Sequence, residues 1–202
     1  AHVTIALGGS TLRELDVAPH SAETVELAYL DTLKNAGGSR VVRQGAYHLQ
    51  ASVPVTVHQF NPLLFELDGE CVDPEPVALQ KDGRCFSFTN DASLLFPSTA
   101  LRQDEEQTSP APLRFLAVSR ASFMASDAAD VVRGMPGFVA VVAVGQEPVR
   151  VRVRSSAYVQ ASPRDAVEAV EALAPGSELE RELRPGDVLQ LLSQVPTQCT
   201  GG

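Results

Sequence analysis

Three arginines alternate with three valines in the stretch VRVRVR, which runs from Val149 to Arg154. Successive side chains of a β-strand point to opposite faces, so Arg150, Arg152 and Arg154 would share one face of a strand. Guanidinium groups in such a row suit the sulfate or carboxylate groups of an acidic polysaccharide. The same row could instead pair with carboxylates on a neighbouring strand, because opposite charges across a sheet attract each other.

A second polar cluster closes the stretch SVPVTVHQFNP, residues 52–62. Its three valines alternate along one face, which places His58 on the opposite, partly wet face of a strand. Asn61 and Pro62 are residue types that begin turns for backbone reasons. Two interpretations therefore stay open. His58 and Asn61 bind a ligand, such as the hydroxyl groups of a carbohydrate, or they sit at the end of a strand with a structural role.

Hard-oxygen side chains occur together at Asn90, Asp91 and Ser93. Calcium takes 6 to 8 oxygen ligands, and this short group supplies too few of them. Hydrogen bonds from these side chains to the local backbone are the simpler explanation. We expect no metal and no cofactor.

Catalytic signatures are missing from the sequence, which has no Gly-x-Ser-x-Gly elbow, no His-Glu-x-x-His helix and no phosphate-binding loop. The four histidines, His2, His20, His48 and His58, do not have the spacing of a zinc cluster. We therefore predict that the protein is not an enzyme.

The net charge of -9 excludes classes of partner rather than folds. Nucleic acids and anionic membranes attract cationic surfaces, so neither is an expected partner. No apolar run approaches the roughly 20 residues that a membrane-spanning helix needs. We expect no membrane insertion of this segment, and we interpret its start at Ala1, already within a strand-like pattern, as that of a processed or excised chain.

Three cysteines bear on the compartment. Cys71 and Cys85 flank a polar, proline-containing stretch typical of a loop, and a disulfide between them would contribute about 3 kcal/mol. The alternative is two separate buried thiols. A disulfide would indicate an oxidising compartment. Cys199 is left over and could pair with a residue outside this chain.

Period-two alternation of apolar residues, interrupted by Gly and Pro turns, predicts an all-β, antiparallel β-sandwich. Within it, residues 139–143 and 149–153 are expected to form a hairpin around the turn GQEP. Two short helical insertions are also predicted, at 162–173 and 126–134. The first has Ser162 as a candidate N-cap and a proline at the first helical position.

The two ends of the chain resemble each other. VTIAL…LDVAPHSAETVEL near the start is similar to VRVRV…RELRPGDVLQLL near the end. Both contain an alternating strand, an excursion, and a second strand bordered by an apolar-x-Pro turn. This pattern predicts an internal duplication. The first β module would cover residues 1–125 and the second, incomplete one residues 137–202, packed on the first or continuous with it.

Four stretches carry a family resemblance: GAYHLQASVPVTVHQFNPL (45–63), CFSFTNDASLLFPSTAL (85–101), GFVAVVAVGQEPVRVRV (137–153) and LRPGDVLQLLSQ (183–194). Together they resemble the IgGFc-binding protein N-terminal domain family in its bacterial secreted form. The resemblance implies an extracellular, β-rich repeat unit of a large surface or secreted protein.

These observations lead to one functional expectation. The chain is predicted to be an extracellular structural or adhesive module at the cell surface that recognises a protein or a glycan. A glycan-active enzyme, which would need a deep cleft with two carboxylates, is one alternative. A structural spacer that binds nothing is the other.

Overall fold

The computed structural model describes residues 1–27, 38–61, 64–65, 80–81, 84–86, 91–101, 114–126, 132–164 and 166–195. The described part of the protein is almost all β. The described residues contain a single short 3-10 turn, Ser98–Leu101. Every pairing between the described strands is antiparallel. The predicted all-β class is therefore confirmed.

The strands are β1 (His2–Leu7), β2 (Ser10–Asp16), β3 (Arg40–Val42), β4 (Tyr47–Ala51), β5 (Val57–Asn61), β6 (Leu64–Phe65), β7 (Gln80–Lys81), β8 (Arg84–Phe86), β9 (Asp91–Leu95), β10 (Phe123–Ser126), β11 (Val132–Met135), β12 (Phe138–Val142), β13 (Val149–Arg154), β14 (Glu178–Leu183) and β15 (Val188–Leu192).

The first hairpin follows directly from the sequence pattern. Val3 and Ile5 of β1 are buried, as their period-two spacing predicts. Gly8 and Gly9 make the turn to β2 with positive φ angles, a conformation that glycine adopts without a steric penalty. β4 pairs with the other edge of β1, so the sheet has the order β2-β1-β4.

A second three-stranded sheet has the order β12-β15-β3. Its central strand β15 has four fully or nearly fully buried aliphatic residues, among them Leu189 and Leu191. Leu189 lies opposite Val141 on one side and Val41 on the other. The sheet thus joins residues from the two predicted modules.

The two-stranded ribbon of β13 and β14 packs on this sheet through a shared core. Leu179 and Leu183 of β14 are buried there with Leu189 and Leu191 of β15, while valines of β13 pack at the border. The outer side chains of the ribbon are polar and exposed. This alternation fixes the register, because a slip of one residue would bury the charged side chains.

The predicted hairpin around GQEP is wrong. β12 pairs with β15 and β13 pairs with β14, so residues 145–148 connect two different sheets. The physical reason lies in the partners' chemistry. The apolar strand β12 pairs with the apolar strand β15, whereas β13, which carries arginines, pairs with β14, which carries glutamates.

The helix predicted at 162–173 is not formed by the described residues of this stretch. The amide of Val159 donates to the carbonyl of Leu173 at 2.9 Å, and the reverse bond measures 3.1 Å. The amide of Ser162 donates to the carbonyl of Val170 at 2.8 Å. These backbone bonds between distant parts of the segment replace the bonds of a helix. Burying Val170 and Leu173 in the core stabilises the chain more than a short helix would.

The helix predicted at 126–134 is also wrong. Its two ends belong to the antiparallel strands β10 and β11, in which Ser126 pairs with Val132. Residues 127–131 lie outside the described residues. Consecutive valines at 131 and 132 favour a strand, since their branched side chains lose rotamer freedom in a helix.

The remaining described strands form two small sheets, β5-β9 and β6-β8-β7. Cys85 lies on β8, opposite Phe65 and Gln80. Cys71 and Cys199 lie outside the described residues, so the disulfide stays a prediction. No helix among the described residues has the length and apolar character needed to cross a membrane.

Candidate functional site

The predicted arginine row exists on the outer face of β13. Each of the three arginines lies opposite a glutamate of β14 in the register of the ribbon. The pairs are Arg150 with Glu182, Arg152 with Glu180, and Arg154 with Glu178. All six side chains belong to exposed residues. The face therefore balances three positive charges with three negative ones.

Glu180 is the centre of this charged face. Its carboxylate accepts hydrogen bonds from Nη2 of Arg152 at 2.9 Å and from Nε of the same residue at 3.3 Å. Nε of Arg150 lies 3.4 Å from its other oxygen. The hydrogen bond from Arg152 is the main reason why the pKa of Glu180 is lowered. Arg150 and Arg152 are therefore paired with a carboxylate on the neighbouring strand, which is one of the two arrangements expected for the arginine row.

His58 and Asn61 do not join the arginine row. They lie on β5, in a separate sheet, where His58 is opposite Leu94 and Asn61 is opposite Asp91. His58 is exposed, but Val53 and Val55 are exposed as well and precede β5, so the expected strand with these valines on one buried face is not formed. Of the hard-oxygen side chains at Asn90, Asp91 and Ser93, Asn90 lies outside the described residues. No group of three or more His, Cys, Asp or Glu side chains within the described chain is placed to hold a metal ion.

A second polar cluster surrounds the buried side chain of Asp187. The sequence analysis did not predict this cluster. Only 1% of Asp187 is exposed. One carboxylate oxygen accepts the amide of Gln44 at 3.0 Å, and the other accepts the amide of Arg184 at 2.7 Å. Nη1 of Arg43 donates to the second oxygen as well. The buried carboxylate is thus fully hydrogen-bonded, as a buried charge must be.

Arg43 extends this cluster to a third part of the chain. Its Nε and Nη2 donate to the two carboxylate oxygens of Glu168, each at 2.6 Å, in the bidentate geometry that suits a guanidinium group. Hydrogen bonds to Glu168 and then Asp187 raise the pKa of Arg43. Arg43 therefore links the end of β3 to the segment that follows Ser162 and to the turn before β15.

Burial would by itself raise the pKa of Asp187, since a desolvated carboxylate loses the favourable interaction of its charge with water. The amides of Gln44 and Arg184, followed by the side chain of Arg43, outweigh that effect, and the pKa is lowered. The carboxylate is consequently ionised near neutral pH. Its surroundings resemble those of a structural ion pair, because the hydrogen bonds fix it in place.

The turn RPGD, residues 184–187, positions Asp187. The amide of Asp187 donates to the carbonyl of Arg184 at 2.9 Å, Pro185 occupies the second place, and Gly186 the third with φ +84°. This is the arrangement of a type II turn. The only sequence signal for the site is this Pro-Gly turn followed by an acid, and it does not reveal burial.

Two open concavities lie on the described surface. One, of about 260 Å³, lies between β2 and residues 24–26. The other, of about 330 Å³, lies between residues 154–156 and Gly176. Neither contains His58 or the Asp187 cluster, and both are open.

Comparisons with protein-family models, with curated proteins and with solved structures found no match to this chain.

Proposed function

We propose that the chain is an extracellular structural or adhesive β-sandwich module, part of a larger surface or secreted protein, that recognises a protein or a glycan through exposed strands. The observation that supports this most is the character of the described polar surface. On the charged face of β13 and β14, Arg150 and Arg152 are paired with Glu180, and the two concavities described above are open. Such a surface suits contact over a flat area better than the enclosed binding of a small substrate.

Two local structures support an internal duplication as part of this proposal. After β2, the amide of Ser21 donates to the carbonyl of Ala18, and His20, which follows a proline, has φ 60°. After β14, the turn RPGD has the same hydrogen bond and a positive φ at Gly186. In both cases the turn follows an antiparallel strand pair, β1–β2 or β13–β14. Only RPGD leads into a strand, β15, because residues 21–27 form none, so the second strand expected in the first copy is missing.

The arginine face gives the proposal its sharpest test. Glu180 competes with any anionic ligand for Arg150 and Arg152. A glycan array would be probed with the wild-type chain, with the triple variant Arg150→Ala/Arg152→Ala/Arg154→Ala, and with Glu180→Gln as the matched control. If acidic glycans bind this face, the triple variant loses binding and Glu180→Gln strengthens it. Equal binding by all three chains would assign recognition to another surface.

A structural spacer is the second candidate, and the balance of three arginines against three glutamates favours it. A face without excess charge has little attraction for ions beyond short range. The array would be combined with capture of proteins from the native environment. Binding in neither experiment would leave the spacer function and reject recognition.

A further inference from the structure

Residues 114–120, RFLAVSR, lead to strand β10 without a backbone hydrogen bond to any other described residue. Their apolar side chains are exposed, with Phe115 at 85%, Leu116 at 93% and Val118 at 87%. Phenylalanine and valine favour an extended chain. The segment therefore has the composition of a β-strand, but it has no strand partner within the described chain.

Strand β12 has an open edge among the described strands, because it pairs with β15 alone. The residues that flank β12 show which backbone groups point to β15. The amide of Ser193 donates to the carbonyl of Gly137 at 2.8 Å, and the amide of Ala143 donates to the carbonyl of Asp187 at 3.1 Å. The odd-numbered residues from 137 to 143 therefore bond to β15.

The even-numbered residues of β12 point the other way. Hydrogen-bonded and non-hydrogen-bonded pairs alternate along an antiparallel strand, so each residue directs its amide and carbonyl to the edge opposite that of the residue before it. The open edge of β12 thus presents the amides and carbonyls of Phe138, Ala140 and Val142. Such a row of unpaired groups attracts an added strand.

The chain itself brings residues 114–120 to this strand. Beyond the β10–β11 hairpin, the carbonyl oxygen of Arg120 lies so close to Gly137 that a Cβ on Gly137 would overlap it. Pro136 has no amide hydrogen, which interrupts the ladder between the hairpin and this contact. If the hairpin register continues past Pro136, each open residue of β12 gains a partner in the segment. The pairs are Phe138 with Arg120, Ala140 with Val118, and Val142 with Leu116.

We propose that residues 114–120 are a strap that closes as an antiparallel strand on the open edge of β12 in the same chain. The closed strap extends the sheet β12-β15-β3 to four strands and pairs the backbone groups of every even-numbered residue of β12. It also keeps that edge from pairing with other chains, a protection that edge strands need. The structure shows the strap beside Gly137 with these bonds still open.

Closing places the two faces of the strap differently, because successive side chains of a strand point to opposite faces. In the continued register Phe115 lies beside Ala143, which is 4% exposed and belongs to the core. Phe115 therefore moves to the border of the core and loses exposure. Leu116 and Val118 lie on the outer face and stay exposed. The backbone pairing and the contact of Phe115 are thus what stabilises the closed strap.

Native-state amide hydrogen exchange, followed by nuclear magnetic resonance, tests the strap in the wild-type chain. With the strap closed, the amides of Phe138, Ala140 and Val142 are expected to exchange at least about tenfold more slowly than in an unstructured peptide. The amides of Val139 and Val141 point to β15 and should be slow whether or not the strap closes. Fast exchange at the three even-numbered positions, with slow exchange at these two, would overturn the proposal.

Two proline variants give a matched pair. Val118→Pro removes an amide that the closed strap donates to β12. The amide of Ala117 points away from β12, and an edge strand tolerates proline on that side, so Ala117→Pro is the control. Val118→Pro is expected to speed exchange at Ala140 and its even-numbered neighbours, and Ala117→Pro is expected to leave it unchanged. If Val118→Pro exchanges as the wild type does, something other than the strap covers the edge and the proposal is wrong.

Dilution distinguishes the strap from a strand supplied by a second copy. Pairing within one chain does not depend on protein concentration, whereas pairing between chains does. Protection of Phe138, Ala140 and Val142 should therefore be the same after an approximately tenfold dilution. A fall in protection on dilution would assign the edge to another chain and reject the strap.

Discussion

Replacing Asp187 by Asn should destabilise the protein strongly, although the two side chains have nearly the same shape. The carboxylate accepts the amides of Gln44 and Arg184 and the side chain of Arg43. Asn keeps one oxygen acceptor and turns an NH₂ group toward one of these donors. Hydrogen bonds to a charged group contribute about 1.5–3 kcal/mol, and an unpaired buried donor costs about 1–3 kcal/mol. Because Arg43 stays partly solvated, its hydrogen bond contributes less than a fully buried one would. We therefore expect the free energy of unfolding to fall by about 3 kcal/mol.

Urea unfolding followed by circular dichroism measures this loss. With a slope of about 1–3 kcal/mol per molar urea, the midpoint should fall by roughly 1–3 M. Asp16→Asn is the matched control, since Asp16 is exposed and its carboxylate lies 3.0 Å from Nδ1 of the exposed His2, and it should change the midpoint little. A loss below about 0.5 kcal/mol for Asp187→Asn would refute the view that the buried carboxylate holds these three segments together.

The same pair of proteins predicts a pH dependence. The folded-state pKa of Asp187 is lower than that of the unfolded chain, where Asp titrates at about 3.9. The carboxylate's stabilising effect is therefore complete above the unfolded value and is lost as pH falls through the folded one. The difference in unfolding free energy between wild type and Asp187→Asn should be constant near neutral pH and shrink below about pH 4. A constant difference down to pH 2 would contradict the assignment.

Further substitutions test the turn, the core and the charged face by urea unfolding. Gly186→Ala should cost about 1–3 kcal/mol, because φ is +84° there and an added Cβ would meet the Gln44 side chain; Gly145→Ala should be nearly neutral. Leu183→Ala, at a fully buried position, should cost about 2–5 kcal/mol. Arg152→Ala should leave the midpoint almost unchanged, since Arg152 and its carboxylate partner are exposed. A large fall in the urea midpoint for Arg152→Ala would show that the exposed pair of Arg152 and Glu180 contributes more to stability than expected.

Alternation of apolar residues is a local signal, and it predicts what is local. It is consistent with the shared buried face of Val3 and Ile5 in β1, and it predicts that the arginines of β13 share a face. The partner of β13 is a long-range property. The glutamates of ELEREL in β14 are complementary to the arginines of β13. The prediction nevertheless paired β13 with residues 139–143, because these are nearer in sequence.

The two helix predictions failed for a related reason. Ser162 has the residue type of an N-cap, and its hydroxyl does accept a backbone amide, but that amide belongs to Val170 at 2.7 Å. The hydroxyl also donates to the carbonyl of Ser39 at 2.6 Å. Capping chemistry is thus used across the fold and not along a helix. No local pattern shows which distant groups will be within reach.

Burial of Asp187 could not be predicted either. An acid after a Pro-Gly turn is normally exposed, and the turn explains only the bond to Arg184. The bonds from Arg43 and Gln44 depend on the pairing of β3 with β15, which brings together residues more than 140 positions apart.

That pairing is the centre of the structural account, and nuclear Overhauser contacts in the wild-type protein test it most directly. We expect cross-strand contacts from Leu189 to Val41 on one side and to Val141 on the other, because neighbouring antiparallel strands lie about 4.8 Å apart. Absence of the contact to Val41, together with the sequential amide contacts of a helix through residues 162–173, would contradict it.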